Sequence, residues 1–113
     1  KPRESAAEAA ARRRAEAEAR NARYRRTREL RATLERLEAD ARETDAELAD
    51  VTAQLSDPTV YQDAGRVREL IERHNSACDR AEALAAEWTA VSAELEAHER
   101  VAAQAGPVGA GRR

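Results

Sequence analysis

The chain has 113 residues, 37% of them charged and only 3% aromatic, with no Phe or Met and a single Trp. So few bulky side chains exclude a globular core and fit long Ala-, Glu-, Arg- and Leu-rich helices that bury a narrow seam. The net charge of −2 conceals an asymmetry: residues 1–36 hold 12 Lys/Arg against 6 Asp/Glu, whereas residues 37–100 hold 6 against 16, so only the first third is suited to a polyanion.

One cysteine excludes an internal disulfide and a Cys-based metal cluster. No apolar run approaches the roughly 20 residues of a membrane span, and no secretory signal is present. The chain reads as soluble and cytoplasmic, without a membrane partner. A start at Lys1 and the lack of Met lead us to expect a piece of a longer protein.

In chain order, residues 1–19 form a basic lead-in, rich in Ala, Glu and Arg from Ser5 onward and expected to prolong the first helix. A hairpin follows over 20–103. Its first helix, to about residue 55, carries Leu30, Leu34, Leu37, Ala41, Thr44, Leu48, Val51 and Leu55. These alternate in steps of four and three, the 3.5-residue period of a left-handed coiled coil. The turn spans residues 56–63. Pro58 cannot continue a helix, Asp57 before it suits the start of a helical turn, and Asp63 is placed to cap the second helix. Val60 and Tyr61 are expected to fold inward and plug the open end.

The second helix, from about residue 64, repeats the period with Val67, Leu70, His74, Ala77, Ala81, Leu84, Trp88, Val91, Leu95 and His98. A connection this short favours antiparallel neighbours. The predicted fold class is all-α: a two-helix antiparallel coiled-coil hairpin with a disordered tail over 104–113. With the turn centred near Tyr61, facing residue numbers sum to about 122, so Leu48 meets His74, Ala41 meets Ala81 and Leu34 meets Trp88.

Candidate sites are sparse. The only lysine is Lys1 and three of the four glycines lie in the tail, so the phosphate-cradling loop of nucleotide-binding proteins has no counterpart. Cys78 adjoins the seam and reads as a small buried residue. His74 and His98 occupy seam positions 24 residues apart. They cannot share a metal and read as core polar groups that help fix register, with Asp45 near His74. No metal or catalytic residue is assigned, and the chain is expected not to be an enzyme.

The arginines are the strongest candidates. Arg12, Arg13, Arg14, Arg20, Arg23, Arg25, Arg26 and Arg28 crowd the start of the first helix, with Arg31 beyond and Asn21 and Tyr24 among them. Guanidinium groups dispersed along a helix neutralise phosphates without reading sequence, and Tyr24 can stack on an unpaired base. The plainer reading is a solvated helix whose arginines pair with Glu16, Glu18 and Glu29.

Several segments resemble one known family. Leu55-Ser56-Asp57-Pro58-Thr59-Val60-Tyr61, Val67-Arg68-Glu69-Leu70, Glu87-Trp88 and Glu94-Leu95-Glu96 are similar to the C-terminal coiled coil of ABC-F proteins. Those are soluble tandem ATP-binding-cassette ATPases that act on the ribosome. Arg20-Asn21-Ala22-Arg23-Tyr24-Arg25 and the Leu30/Leu34/Leu37 run resemble the segment after the second ATPase domain in that family, so the likeness covers roughly Arg12 to Glu99. It implies an accessory domain that contacts ribosomal RNA or DNA, in a translation-factor or ribosome-protecting parent. It also implies that ATP and Mg belong to the parent's cassettes, with no cofactor in this segment. The acidic distal half moves the expected contact to the arginine-rich base. Two other readings remain: the N-terminal helical region of a peptide-chain release factor, and a structural coiled coil that pairs with protein or with itself.

Overall fold

The computed structural model describes residues 3–105; the expected tail lies outside them, apart from Gln104 and Ala105, which end a helix. Helix α1 spans Ala6–Leu55, a five-residue 3-10 turn spans Pro58–Gln62, and helix α2 spans Ala64–Ala105. The two helices pack along their lengths as an antiparallel hairpin, 87 Å long and 17 Å across its thinnest direction. The radius of gyration is 25.1 Å, against about 13 Å for a compact domain of this length. The molecule is an arm.

Local chemistry sets the ends of each element. Ser5 caps α1: its Oγ accepts from the Glu8 amide at 3.1 Å, and Glu8 accepts in return from the Ser5 amide, a reciprocal capping box. Fifty residues then run without a Pro or Gly. At the far end the Asp57 carboxylate accepts from the backbone and hydroxyl of Thr59, at 3.0 and 2.9 Å, and Pro58 takes the first position of the turn. Asp63 accepts from the Arg66 amide at 3.1 Å and starts α2 as expected.

Tyr61 departs from expectation. It lies on the outside, 59% exposed, and its hydroxyl donates to the Leu55 carbonyl at 2.6 Å. The last carbonyls of a helix have no partner within it, and the phenol serves one of them. Val60, half-buried, is the residue of the pair that turns inward.

The seam is not symmetric about its axis. Leu30, Leu37, Thr44 and Val51, seven residues apart, are buried, and so are Leu70 and Ala77 on α2. Thr44 satisfies its hydroxyl on the Asp40 carbonyl at 2.9 Å, so a polar residue sits in this layer without an unpaired group. The alternate seam set, Leu34, Ala41, Leu48 and Leu55 with Val67, His74, Ala81 and Leu95, is only half-buried.

Flanking side chains explain the difference. Beside the closed layer a ladder of polar pairs crosses the helices: Arg66 with Gln54, Arg73 with Glu47, Arg80 with Asp40, and Arg26 with Glu94. Each pair sums to 120, and the partners step by seven, one helix climbing as the other descends. The expected register is therefore present within two residues. Thr33 and Glu87 occupy the vacant step of the ladder.

The opposite edge carries one cross-helix ion pair, Arg31 with Glu99 at 2.9 Å near the base, and no ladder, and three expectations change there. Trp88 is 43% exposed and borders a groove of about 350 Å³ with Leu37, Ala41, Ala81 and Ala85. The thin Ala41/Ala81 layer lowers the groove floor and leaves the indole edge in water. Cys78 is exposed, not buried, because it stands one turn beyond the seam residue His74. His74 in turn lies 3.8 Å from the Cys78 sulfur, and no hydrogen bond to Asp45 is found among the described residues. Asp45 lines the groove. At the base, His98 Nε2 lies 3.7 Å from Glu94 of the same helix.

Candidate nucleic-acid interface

All eight candidate arginines lie on the first half of α1, but the structure separates them into groups. Arg12 is held by Glu4 at 3.1 Å and Glu16 at 3.3 Å, and these carboxylates raise its pKa above the usual arginine value, the Glu4 hydrogen bond foremost. Arg26 belongs to the ladder, 2.7 Å from Glu94 and 3.4 Å from Glu29. The Glu94 hydrogen bond is the main reason its pKa is raised. These two guanidinium groups are already neutralised.

Arg13, Arg14, Arg20, Arg23, Arg25 and Arg28 make no ion pair among the described residues. Their phase on α1 differs. Arg23 lies seven residues before the buried Leu30, so it continues the closed layer of the seam and is half-buried. Arg13 and Arg20 step by seven into Thr27 and Leu34, the open layer. Arg14, Asn21 and Arg28 step by seven along the outside, with Arg25 one turn from both Asn21 and Arg28. This outward stripe spans about 21 Å at 1.5 Å per residue.

Tyr24 joins the stripe, 66% exposed, with the Arg28 guanidinium 5.3 Å from its ring centroid. The contact is of cation–π type and presents a planar cation beside an aromatic face. Glu16, Glu18 and Glu29 were the expected ion-pair partners, and they account for Arg12 and Arg26 only. Sequence reasoning missed the cross-helix claim of Glu94 on Arg26. The register, applied to charged residues as well as apolar ones, contains that signal.

The distal half offers phosphates nothing comparable. The trough on its ladder side is lined by Glu43, Glu47, Glu69 and Glu72 around Arg73 and Arg80. Arg73 is committed to Glu47 and Asp50. Among the described residues no group of three His, Cys, Asp or Glu side chains is arranged to hold a metal, and no helix is long and apolar enough to cross a membrane.

A helical hairpin with most of its unpaired arginines gathered at one end is, in class, an antiparallel coiled-coil arm. A family model described as the ABC transporter C-terminal domain matches residues 21–93, and the chain belongs to that family. The match takes in the turn and the register-bearing parts of both helices. Arg12, Arg13, Arg14 and Arg20 precede it. Comparison with curated proteins and with solved structures found no match.

Proposed function

We propose that this C-terminal accessory domain is the nucleic-acid-contacting arm of an ABC-F-type ATPase, with ribosomal RNA as its principal ligand and DNA as the variant of the same chemistry. The observation that carries the reading is the outward stripe of Arg14, Arg25 and Arg28 around the exposed Tyr24. Cations without internal partners release counterions when they meet phosphates, and an exposed aromatic stacks on any base. The acidic distal half repels the same ligand, so contact is confined to the base of the arm.

In this reading the arm performs no chemistry. ATP and Mg are bound by cassettes elsewhere in the parent, which is a cytoplasmic translation or ribosome-protection factor. Membership in an ABC-protein family supports that parentage, and it leaves no place for the release-factor alternative.

The test is fluorescence anisotropy with a labelled RNA stem-loop at several salt concentrations, comparing the chain with its Arg14→Glu/Arg25→Glu/Arg28→Glu variant. These residues make no ion pair inside the hairpin, so helicity should be retained. The expected result is weaker binding and a log–log salt slope shallower by about 3, one per lost phosphate contact. Equal affinity and slope in the two proteins would overturn the reading.

A further inference from the structure

The open edge of the hairpin is self-complementary. Tyr24, Arg31, Glu38 and Asp45 on α1 and Ile71, Cys78, Ala85 and Glu99 on α2 keep one heptad phase and share this edge, with Arg31 and Glu99 already paired across it at 2.9 Å. Two of them are large exposed hydrophobics, Tyr24 at 66% and Ile71 at 46%, and Trp88 stands beside them. Measured from Leu37 in the groove, Tyr24 lies 13 residues toward the base, about 20 Å at the helical rise. Ile71 is level with residue 49 of α1 in the ladder register, about 18 Å toward the turn. The apolar groups are thus spaced almost equally about the Trp88 groove.

The charges follow the same symmetry with opposite sign. Arg28 lies nine residues toward the base from Leu37, and Asp45 lies eight toward the turn. A two-fold axis in the contact plane, through the groove and perpendicular to the arm, sets α1 against the partner's α1, brings Tyr24 of one copy level with Ile71 of the other, and places Arg28 over Asp45. Over the hairpin it sets the base, net +3 over residues 1–36 and 84–100, beside the turn half, net −7 over residues 37–83. A side-by-side pair pointing the same way instead sets Asp45 against Asp45. Isologous contacts require this kind of internal complement, the same patch serving both partners.

We infer that the partner of the open edge is a second copy of this chain, docked antiparallel through the Trp88 groove to form a four-helix bundle. The inference draws on Tyr24 and Arg28, which the nucleic-acid reading also uses, so a second copy and RNA compete for that end of the edge. Trp88 is outside the arginine stripe, so its loss tests self-association alone.

Sedimentation equilibrium of the 113-residue chain should give twice its 12.5 kDa mass, with weaker association at high salt. Trp88→Glu should raise the dimer dissociation constant at least about 10-fold, a large share of the affinity of a weak pair, while circular dichroism stays helical. Orientation is read separately. A spin label at the turn, in Cys78→Ser/Thr59→Cys, should show the two turns about 70 Å apart from the helical rise. A monomer at concentrations up to about 1 mM, the limit of weak association, would overturn the inference. So would a dimer indifferent to Trp88→Glu, or one with its turns side by side.

Discussion

Arg26 on α1 grips Glu94 on α2 at 2.7 Å, 68 residues away along the chain, and it reverses the polarity of the ladder. Nearer the turn, Arg66, Arg73 and Arg80 of α2 reach Gln54, Glu47 and Asp40 of α1. At the base the cation comes from α1 and the carboxylate from α2. A hairpin slipped by one heptad past the vacant Thr33/Glu87 step brings Arg26 level with Glu87, but Thr33 level with Arg80. That slip keeps Asp40 level with Arg73 and Glu47 with Arg66 and costs the ladder only the carboxylate partner of Arg80, whereas the opposite slip sets Asp40 against Glu87, two acids facing each other.

Charge reversal at this pair is the first test. Arg26→Glu places two acids together at the base and should lower the melting temperature by a few degrees. Adding Glu94→Arg should recover most of that loss, measured by thermal circular dichroism in low salt. Failure of the double swap to recover would show that Arg26 acts through packing of its stem instead.

The two seam layers should respond differently to truncation. Leu70 is wholly buried, and Leu70→Ala should cost about 2–5 kcal/mol in urea unfolding. Trp88 is 43% exposed, so Trp88→Ala in the monomer should cost only about 1–2 kcal/mol, from the half of its surface that is covered. A Trp88 loss as large as that of Leu70 would contradict the open edge.

The turn carries a pH signature. Hydrogen bonds from the Thr59 amide, then from its hydroxyl, hold the Asp57 carboxyl below its ordinary value of 3.8. A carboxylate with a depressed folded pKa contributes stability that is complete above the unfolded value and is lost as pH falls through the folded one. Asp57→Asn should therefore flatten the decline in melting temperature below about pH 4 and shift it little at neutral pH. An unchanged acid limb would exclude Asp57 as a source of that decline.

Tyr61→Phe removes the hydrogen bond to the Leu55 carbonyl and little apolar contact. The expected cost is about 0.5–1.5 kcal/mol, with faster amide exchange confined to the turn and the last turn of α1. Exchange unaltered there would mean that water replaces the phenol at no cost.

The apolar period made the helices, the turn and the register legible. Leu30, Leu37, Thr44 and Val51 recur every seven residues, a spacing that a helical seam requires, and Asp57, Pro58 and Asp63 are residues whose chemistry specifies a chain reversal. The difference between the two edges was less visible. Leu34 and Leu37 look equivalent as letters, yet one is half-buried and the other closed over, because burial depends on what flanks the seam across the helix pair. The same blindness affected Cys78 and Trp88. The arginines were found by density alone; sorting Arg12 and Arg26 from Arg14, Arg25 and Arg28 needed the carboxylates brought near by folding.

Because α1 runs unbroken from its Ser5 cap through the stripe and into the seam, the azimuth of the arginines is geared to that of the hairpin. One residue inserted between Arg28 and Leu30 turns the stripe by about 100° relative to α2. Seven inserted residues bring it back to within about 20°. The direction in which the base presents its cations is therefore a matter of counting, set by chain length modulo the heptad and indifferent to the identity of the residues inserted.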